Sequence, residues 1–331
     1  MKVFVAGASG AIGRRLVPLL VAGGYEVVGM TRSSKQAGTV RAMGAEPVVA
    51  DGLDRASLRQ ALMRAAPEVV VHQMTGLSTV RSFKDLDEEL APTSRLRTEG
   101  TDNLLDAARA AGARRVIAQS YGLWSYIGGG QRPATEEDPL DPNPPSSMSR
   151  TLDAIRHVES VVPRAEAIEG MVLRYGFFYG PGTGFAENGR LCDLVRQRKM
   201  PIIGDGRGVW SFVHVDDAAA ATMAAIKRGQ PGVYNVADDD PAPVAVWLPE
   251  LAKLLGAERP RHLPTWFGRI VAGESGVYMH NRTRGISNAR VKVELGWDPL
   301  YVSWRDGFRH GIADIPIEPA TRARLLELAA G

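Results

Sequence analysis

Cysteine is nearly absent: Cys192 is the only one in 331 residues. That excludes an intramolecular disulfide and any cysteine-based metal cluster, and it suits a reducing compartment. Long apolar runs are missing too. The most hydrophobic early stretch, Leu16 to Met30, is interrupted by Gly23, Gly24 and Glu26, so it is too short and too broken to span a bilayer. The first strand is expected to start at Lys2, which leaves no room for a signal peptide ahead of it. Charge of one sign is nowhere concentrated: the net charge is +3, with Lys and Arg dispersed along the chain, and neither a nucleic-acid nor a polybasic membrane signal results. The six histidines lack a metal-ligand spacing. The expectation is a cytoplasmic protein acting on a small molecule, with no nucleic acid, membrane or metal partner.

What is present is an ordinary globular composition, 44% hydrophobic and 23% charged. Short β-branched runs alternate with helical patterns through the first half, the mark of an α/β fold with a doubly wound parallel sheet. Strands are expected at Lys2–Ala6, Tyr25–Met30, Glu46–Ala50, Glu68–His72, Arg115–Gln119 and Met171–Arg174. Helices are expected at Ala11–Ala22, Arg55–Arg64, one long Glu88–Ala111 and one near Ser147–Val162. Four prolines between Pro139 and Pro145 force an extended loop. Beyond Gly180 the pattern loosens into short strands (201–203, 211–213, 233–236) and separate helices. This divides the chain into a nucleotide-binding part, 1–180, to which segments such as 211–237 return, and a smaller C-terminal substrate-binding cap, mainly 181–331.

The motif that defines the first part is Gly7-Ala-Ser9-Gly10-Ala11-Ile12-Gly13, placed between a strand and a helix. In this GxxGxxG spacing Gly7 permits the sharp turn, Gly10 lets backbone approach a pyrophosphate at the helix N-terminus, and Gly13 allows close packing of helix on sheet. This is a Rossmann-type dinucleotide fingerprint. The second strand then ends in Met30-Thr31-Arg32-Ser33-Ser34-Lys35, without a carboxylate to hold a ribose 2′-hydroxyl. Arg32 and Ser33 suit a 2′-phosphate, so NADP is expected over NAD.

These residues resemble the extended short-chain dehydrogenase/reductase superfamily of NAD(P)-dependent epimerases, dehydratases and reductases. The likeness runs over nearly the whole chain: Gly100-Thr101-Asp-Asn-Leu104-Leu105, Leu173-Arg174-Tyr175-Gly176-Phe177-Phe178-Tyr179-Gly180-Pro181, Phe212-Val213-His214-Val215-Asp216-Asp217 and Glu294-Leu295-Gly296-Trp297 all match its landmarks in order. The resemblance implies that Asp51 and Gly52 lie near the adenine, Gln73 and Met74 along the cofactor, and Tyr175 and Phe177 near the nicotinamide. It implies a possible homodimer through the helices after the fourth and fifth strands.

The reaction centre departs from the family. Its serine is matched by Ser120, but aligning Glu159 with the family's glutamate puts Thr151 at the Tyr and Ile155 at the Lys of Tyr-x-x-x-Lys. No lysine occurs between Lys84 and Lys199. Arg97 stands where the family commonly has Asn, and Trp210-Ser211 replaces an Arg-Asp that commonly grips nucleotide-sugar diphosphates. The chain is identified as an atypical extended member. For its chemistry, Tyr121 or Tyr126 is a candidate proton donor, with Ser120 holding a substrate carbonyl; either tyrosine equally suits the role of pocket lining. Arg150 or Arg156 could replace the missing positive charge, although a solvated helix face suits both better, and Asp153 with His157 suggest an acid/base couple across a helix turn, although a surface pair suits them better. Trp124, Phe178 and Trp210, with Phe177 and Trp266, suggest an apolar substrate cavity. An oxidoreductase for a small, rather apolar carbonyl or alcohol follows; a non-redox lyase or cyclase that keeps the nucleotide, and a dinucleotide-sensing binding protein, stay open beside it.

Overall fold

The computed structural model describes residues 1–77, 80–122, 124–130, 132–313 and Ala323. Its first part runs β1 (Lys2–Ala6), α1 (Gly13–Ala22), β2 (Glu26–Thr31), α2 (Ser34–Ala42), β3 (Glu46–Val49), α3 (Arg55–Ala65), β4 (Val69–His72), α4 (Leu86–Glu89), α5 (Ala91–Arg97), α6 (Glu99–Ala110), β5 (Arg115–Tyr121), α7 (Ser149–Val161) and β6 (Glu169–Tyr175). There follow β7 (Phe177–Tyr179), α8 (Arg190–Arg196), β8 (Ile202–Ile203), β9 (Val209–Trp210), β10 (Phe212–His214), α9 (Val215–Lys227), β11 (Gly232–Val236), β12 (Ala242–Pro243), α10 (Val244–Leu254), β13 (His262–Leu263), α11 (Thr265–Asn281), α12 (Ala289–Leu295) and α13 (Trp304–His310).

Seven parallel strands form the central sheet, in the order β11-β6-β5-β4-β1-β2-β3. The strand order reverses between β1 and β4, where a doubly wound sheet opens a crevice at its carboxyl edge. Strand periodicity sorts the core: Val3 and Val5 pack with α1, α9 and α12 on one face, Phe4 and Ala6 with α3, α6 and α7 on the other. Helix α9, rich in alanine, is buried on every side. A third core lies beyond the sheet edge. It is built from Trp124, Phe185, Trp210, Phe212, Trp247, Trp304 and Phe308 and joins the short-stranded later elements to the end of β5. Among the described residues no helix is long and apolar enough to cross a membrane.

Two elements differ from expectation. Helix α2, absent from the expected helices, follows Arg32 with Ser33 at its N-cap. The single helix from Glu88 to Ala111 is three pieces, broken at Leu90 and Thr98. Pro92 in the first turn of α5 cannot extend a helix from before it, and at Thr98 the backbone departs to φ −93°, ψ −88° while its hydroxyl bonds back to the Ser94 carbonyl at 3.0 Å. Strand β11, within the later segment expected to return to the nucleotide-binding part, pairs with β6 at the edge of the main sheet.

Candidate active site

The loop from β1 into α1 is shaped by its glycines. Gly7 has φ +95°, and a Cβ there would lie 2.5 Å from the Gln73 carbonyl oxygen. A Cβ on Gly13 would lie 2.4 Å from the Gly7 carbonyl. Both positions exclude any other residue, whereas Gly10 meets nothing closer than 3.3 Å and leaves its outer side open. Gly7 and Ala8 donate to the Met30 carbonyl. Among the described residues, none accepts from the N–H groups of Ala11, Ile12 and Gly13, which line a cavity. Three unpaired N–H groups at a helix N-terminus make an anion cradle of the size a pyrophosphate fills.

Around the second strand, the Ser9 and Thr31 hydroxyls lie 3.2 Å apart and the Arg14 guanidinium donates to the Ser9 carbonyl at 2.9 Å. Arg14, Arg32 and Lys35 are exposed, Ser33 is half-buried, and Arg32 has no polar partner among the described residues. Asp51 Oδ1 accepts from Leu53 N–H and the Gly52 carbonyl from Asn103, while Met74 Sδ would stand 2.4 Å from a Cβ on Gly52. The donor set and the missing Cβ atoms fit a dinucleotide.

The cavity, about 450 Å³, extends from this cradle past Gln73 and Thr75 to Arg97, Gln119, Tyr121 and Trp124. Phe177, Phe178 and the Gly182–Gly184 loop form its opposite wall, and Val80, Phe83, Leu86 and Leu90 add apolar surface. Tyr121 packs on Trp124 with ring centres 4.4 Å apart. Its hydroxyl has no hydrogen-bond partner among the described residues, and burial pushes the phenol well above its ordinary range, opposed by the charge of Arg97.

Several expected site residues lie elsewhere. Ser120 is fully buried and donates to Glu159 Oε1 at 2.7 Å, so its hydroxyl is committed away from the cavity. Tyr126 donates to Asn235 Oδ1 at 2.8 Å and lies beneath the Arg174 guanidinium, which bonds its oxygen; burial pushes its pKa up to about 12. Tyr175 faces α9, with its hydroxyl 2.7 Å from that of Thr222. Trp210 stacks on Phe177 at 4.8 Å and donates to the Met279 carbonyl, one layer behind the cavity wall. Trp266 is 65% exposed. Asp153 and His157 do not pair: His157 meets Asp102 and Asp153 meets Arg156, each at 2.7 Å. Arg150 is occupied by Glu88 at 2.6 Å. Neither Arg150 nor Arg156 reaches the cavity wall.

Two arginines line the cavity, Arg190 at its exposed rim, where it donates to the Arg81 carbonyl, and Arg97 in its buried interior. Arg97 is 3% exposed, its Nε has no hydrogen-bond partner, and no carboxylate pairs with it among the described residues. Burial pulls its pKa down to about 10. The break at Thr98 ends α5 at Arg97 and lets the side chain turn inward. Across from it, Thr151 and Ile155 are buried: the Thr151 N–H donates to Asp87 at 2.7 Å, and Ile155 shares the aromatic core with Tyr121 and Trp124. The sequence marks Arg97 as a departure from the family without showing that it enters the site. Gln119 and Phe83, also on the wall, carry no sequence signal.

A profile of the NAD dependent epimerase/dehydratase family matches residues 3–237. A Streptomyces protein named 3-diazoavenalumate denitrifying reductase is 43% identical, over 93% of this chain and 99% of that protein. The 4-hydroxy-2-methyl-3-oxo-4-farnesyl-3,4-dihydroquinoline-1-oxide ketoreductase of Stigmatella aurantiaca is 28% identical, over 90% and 92%. Among solved structures, the Thermotoga maritima UDP-glucose 4-epimerase with UDP-glucose superimposes with a TM-score of 0.75 at 22% identity, covering 94% of this chain and 97% of that one. A human epimerase family protein, SDR39U1, with NADPH gives 0.72 at 18%, covering 94% and 99%. The fold is therefore the family's, and a nicotinamide dinucleotide is its cofactor. The chain belongs to the NAD dependent epimerase/dehydratase family.

Proposed function

We propose that this protein is an NADP-dependent reductase of a small, largely apolar substrate, and that its acceptor is reduced without a proton relayed by the protein. The preference for NADP rests on exposed Arg14, Arg32 and Lys35 around the end of β2, where no carboxylate stands.

The observation that carries the second half is Ile155. A carbonyl reductase of this family must protonate a developing alkoxide, and a positioned acid contributes about 10²–10⁴-fold to such a step. Here the lysine's place is an aliphatic side chain in the aromatic core and the tyrosine's place is Thr151. Tyr121, the phenol at the cavity, is held protonated by burial, which suits a hydrogen-bond donor better than an acid.

The 43%-identical relative is named for reduction and denitrification of a diazo compound. When bound, a reduced nicotinamide supplies hydride; with a diazonium acceptor its electron pair makes the new C–H bond, the C–N pair leaves with N2, and no proton is required. The chain's own part is to hold the acceptor against Phe177 and Trp124, exclude water with its apolar wall, and orient it with Gln119 and the Tyr121 hydroxyl. We propose a homodimer through α6 and α7 in a reducing cytoplasm, in keeping with the lone buried Cys192.

A second reading is carbonyl reduction with Tyr121 as acid. It is favoured by the unpartnered phenol at the cavity and by the relative named a ketoreductase. The test is a coupled assay: NADPH oxidation and N2 release from arenediazonium carboxylates, against NADPH oxidation with aryl ketones. One N2 per NADPH above the uncatalysed background supports the first reading. Ketone turnover with no catalysed N2 release supports the second.

A further inference from the structure

Arg97 is a buried guanidinium with no carboxylate in salt-bridge contact among the described residues; the charge of Glu159 reaches it only at a distance, and that carboxylate is already clamped on Arg174. Desolvating a cation is costly unless another group repays it, and buried arginines are ordinarily paired or hydrogen-bonded. The other buried arginines here obey that rule. Arg174 is clamped by Glu159, and Arg115 by Glu169 and three backbone carbonyls. Arg97 alone among these three has neither, and it lines the cavity. On the lining of the same cavity, Gln119 Nε2 is also buried without a hydrogen-bond partner. The nearby aromatic surface of Tyr121, Trp124 and Phe177 is matched to a planar apolar body.

We infer that Arg97 is the substrate-anchoring residue of the cavity, and that the substrate is a planar, conjugated molecule bearing an anionic oxygen, which this guanidinium binds with Gln119 beside it. This deepens the proposed function and rests on its reading of the cavity as the substrate site. The anion supplies the missing salt-bridge partner, and a planar guanidinium presents parallel donors to it. The pyrophosphate has its own cradle at Ala11–Gly13, on a different element, so the cofactor's phosphates do not require Arg97. A carboxylate and a phenolate offer the same chemistry; the experiment separates them.

The test uses the full-length protein saturated with NADP+ and ligands that cannot be reduced, read by calorimetry and by tryptophan fluorescence. One pair is cinnamate and cinnamamide, the other 4-nitrophenolate and 4-nitroanisole. The wild type binds the anion of at least one pair about 10–100-fold more tightly than its neutral partner, the range of a charge-assisted hydrogen bond. The pair that shows the preference names the oxygen. Arg97→Met abolishes the preference while still binding the neutral partner, which also reports that the variant is folded; Arg97→Lys retains part of it. Equal binding within both pairs, no binding of either anion, or a preference that survives in Arg97→Met overturns the inference. So does a loss of NADP+ affinity in Arg97→Met, which would assign the guanidinium to the cofactor. Because no turnover is read, failure of the reductase reading leaves this result standing, and the reverse holds as well.

Discussion

The Ser120 hydroxyl lies 2.7 Å from Oε1 of Glu159, and the same carboxylate grips the Arg174 guanidinium through both oxygens. Arg174 in turn bonds the Tyr126 oxygen, and Tyr126 donates to Asn235 on β11. Two residues that the sequence offers for catalysis thus belong to a closed polar network that ties α7, β5, β6 and β11 together. Its members are satisfied by one another, as buried polar groups must be.

Removing one charge from this network should destabilise the fold strongly. Glu159→Gln leaves Arg174 buried without its counter-ion, which costs about 3–5 kcal/mol. Denaturant unfolding measures it, and a loss below about 1 kcal/mol would show that water or a rearranged partner compensates.

Tyr126→Phe and Tyr121→Phe should separate cleanly. The first removes a network hydrogen bond and lowers stability by about 1–3 kcal/mol with little change in turnover. The second leaves diazo reduction within a few-fold of wild type. A fall of about 10²–10⁴ in kcat for Tyr121→Phe is the outcome that assigns it the role of acid.

Arg32→Ala should weaken NADPH binding by about 10–100-fold, the worth of charge-assisted hydrogen bonds to a phosphate, while NADH binding stays unchanged. Paired fluorescence titrations read both. An equal loss for the two cofactors would place Arg32 away from the 2′-phosphate.

Gly13→Ala should abolish cofactor binding while much of the fold survives. The added carbon would sit 2.4 Å from the Gly7 carbonyl and 2.5 Å from that of Ala8, so the cradle must open. Circular dichroism and an NADPH titration check the two halves of this statement; wild-type affinity would contradict it.

Stability should fall with acid across a defined window. Burial pulls the rings of His72 and His280 from 6.5 to about 4, and lowers that of His214 in the same direction. The unfolded chain takes up these protons from about pH 6.5 downward while the folded chain does not. Their stabilisation is therefore complete above pH 6.5 and is lost as the pH falls towards 4. Denaturant midpoints measured across that range should decline; a flat profile would mean the rings are protonated in the fold.

Much of the fold is legible in the sequence because its signals are local. The glycine spacing, the β-branched runs and the arginine after β2 each act through neighbours in the chain, and all three find their expected backbone setting. Helix α2 is less legible: it has few apolar residues and buries only Val40. The long-helix reading failed where Pro92 and Thr98 interrupt a pattern whose apolar periodicity continues across them. The site is legible only in part. Tyr121 and Trp124 are adjacent to β5 and follow it to the cavity. Arg97 arrives from 24 residues earlier in the chain through a helix break, and no local pattern shows that its charge would be left unpaired. Ser120 and Tyr126 mislead for the complementary reason: their partners, Glu159 and Asn235, are distant in sequence.

The central claim is reduction by hydride without a proton relayed from the protein, and isotope substitution at the cofactor tests it most directly. In single turnover of an arenediazonium carboxylate, NADPH deuterated at the transferring position should be oxidised several-fold more slowly than the protiated form, with no further slowing in D2O. Product formation with no cofactor isotope effect and a large solvent effect would contradict the account and point to proton-transfer chemistry instead.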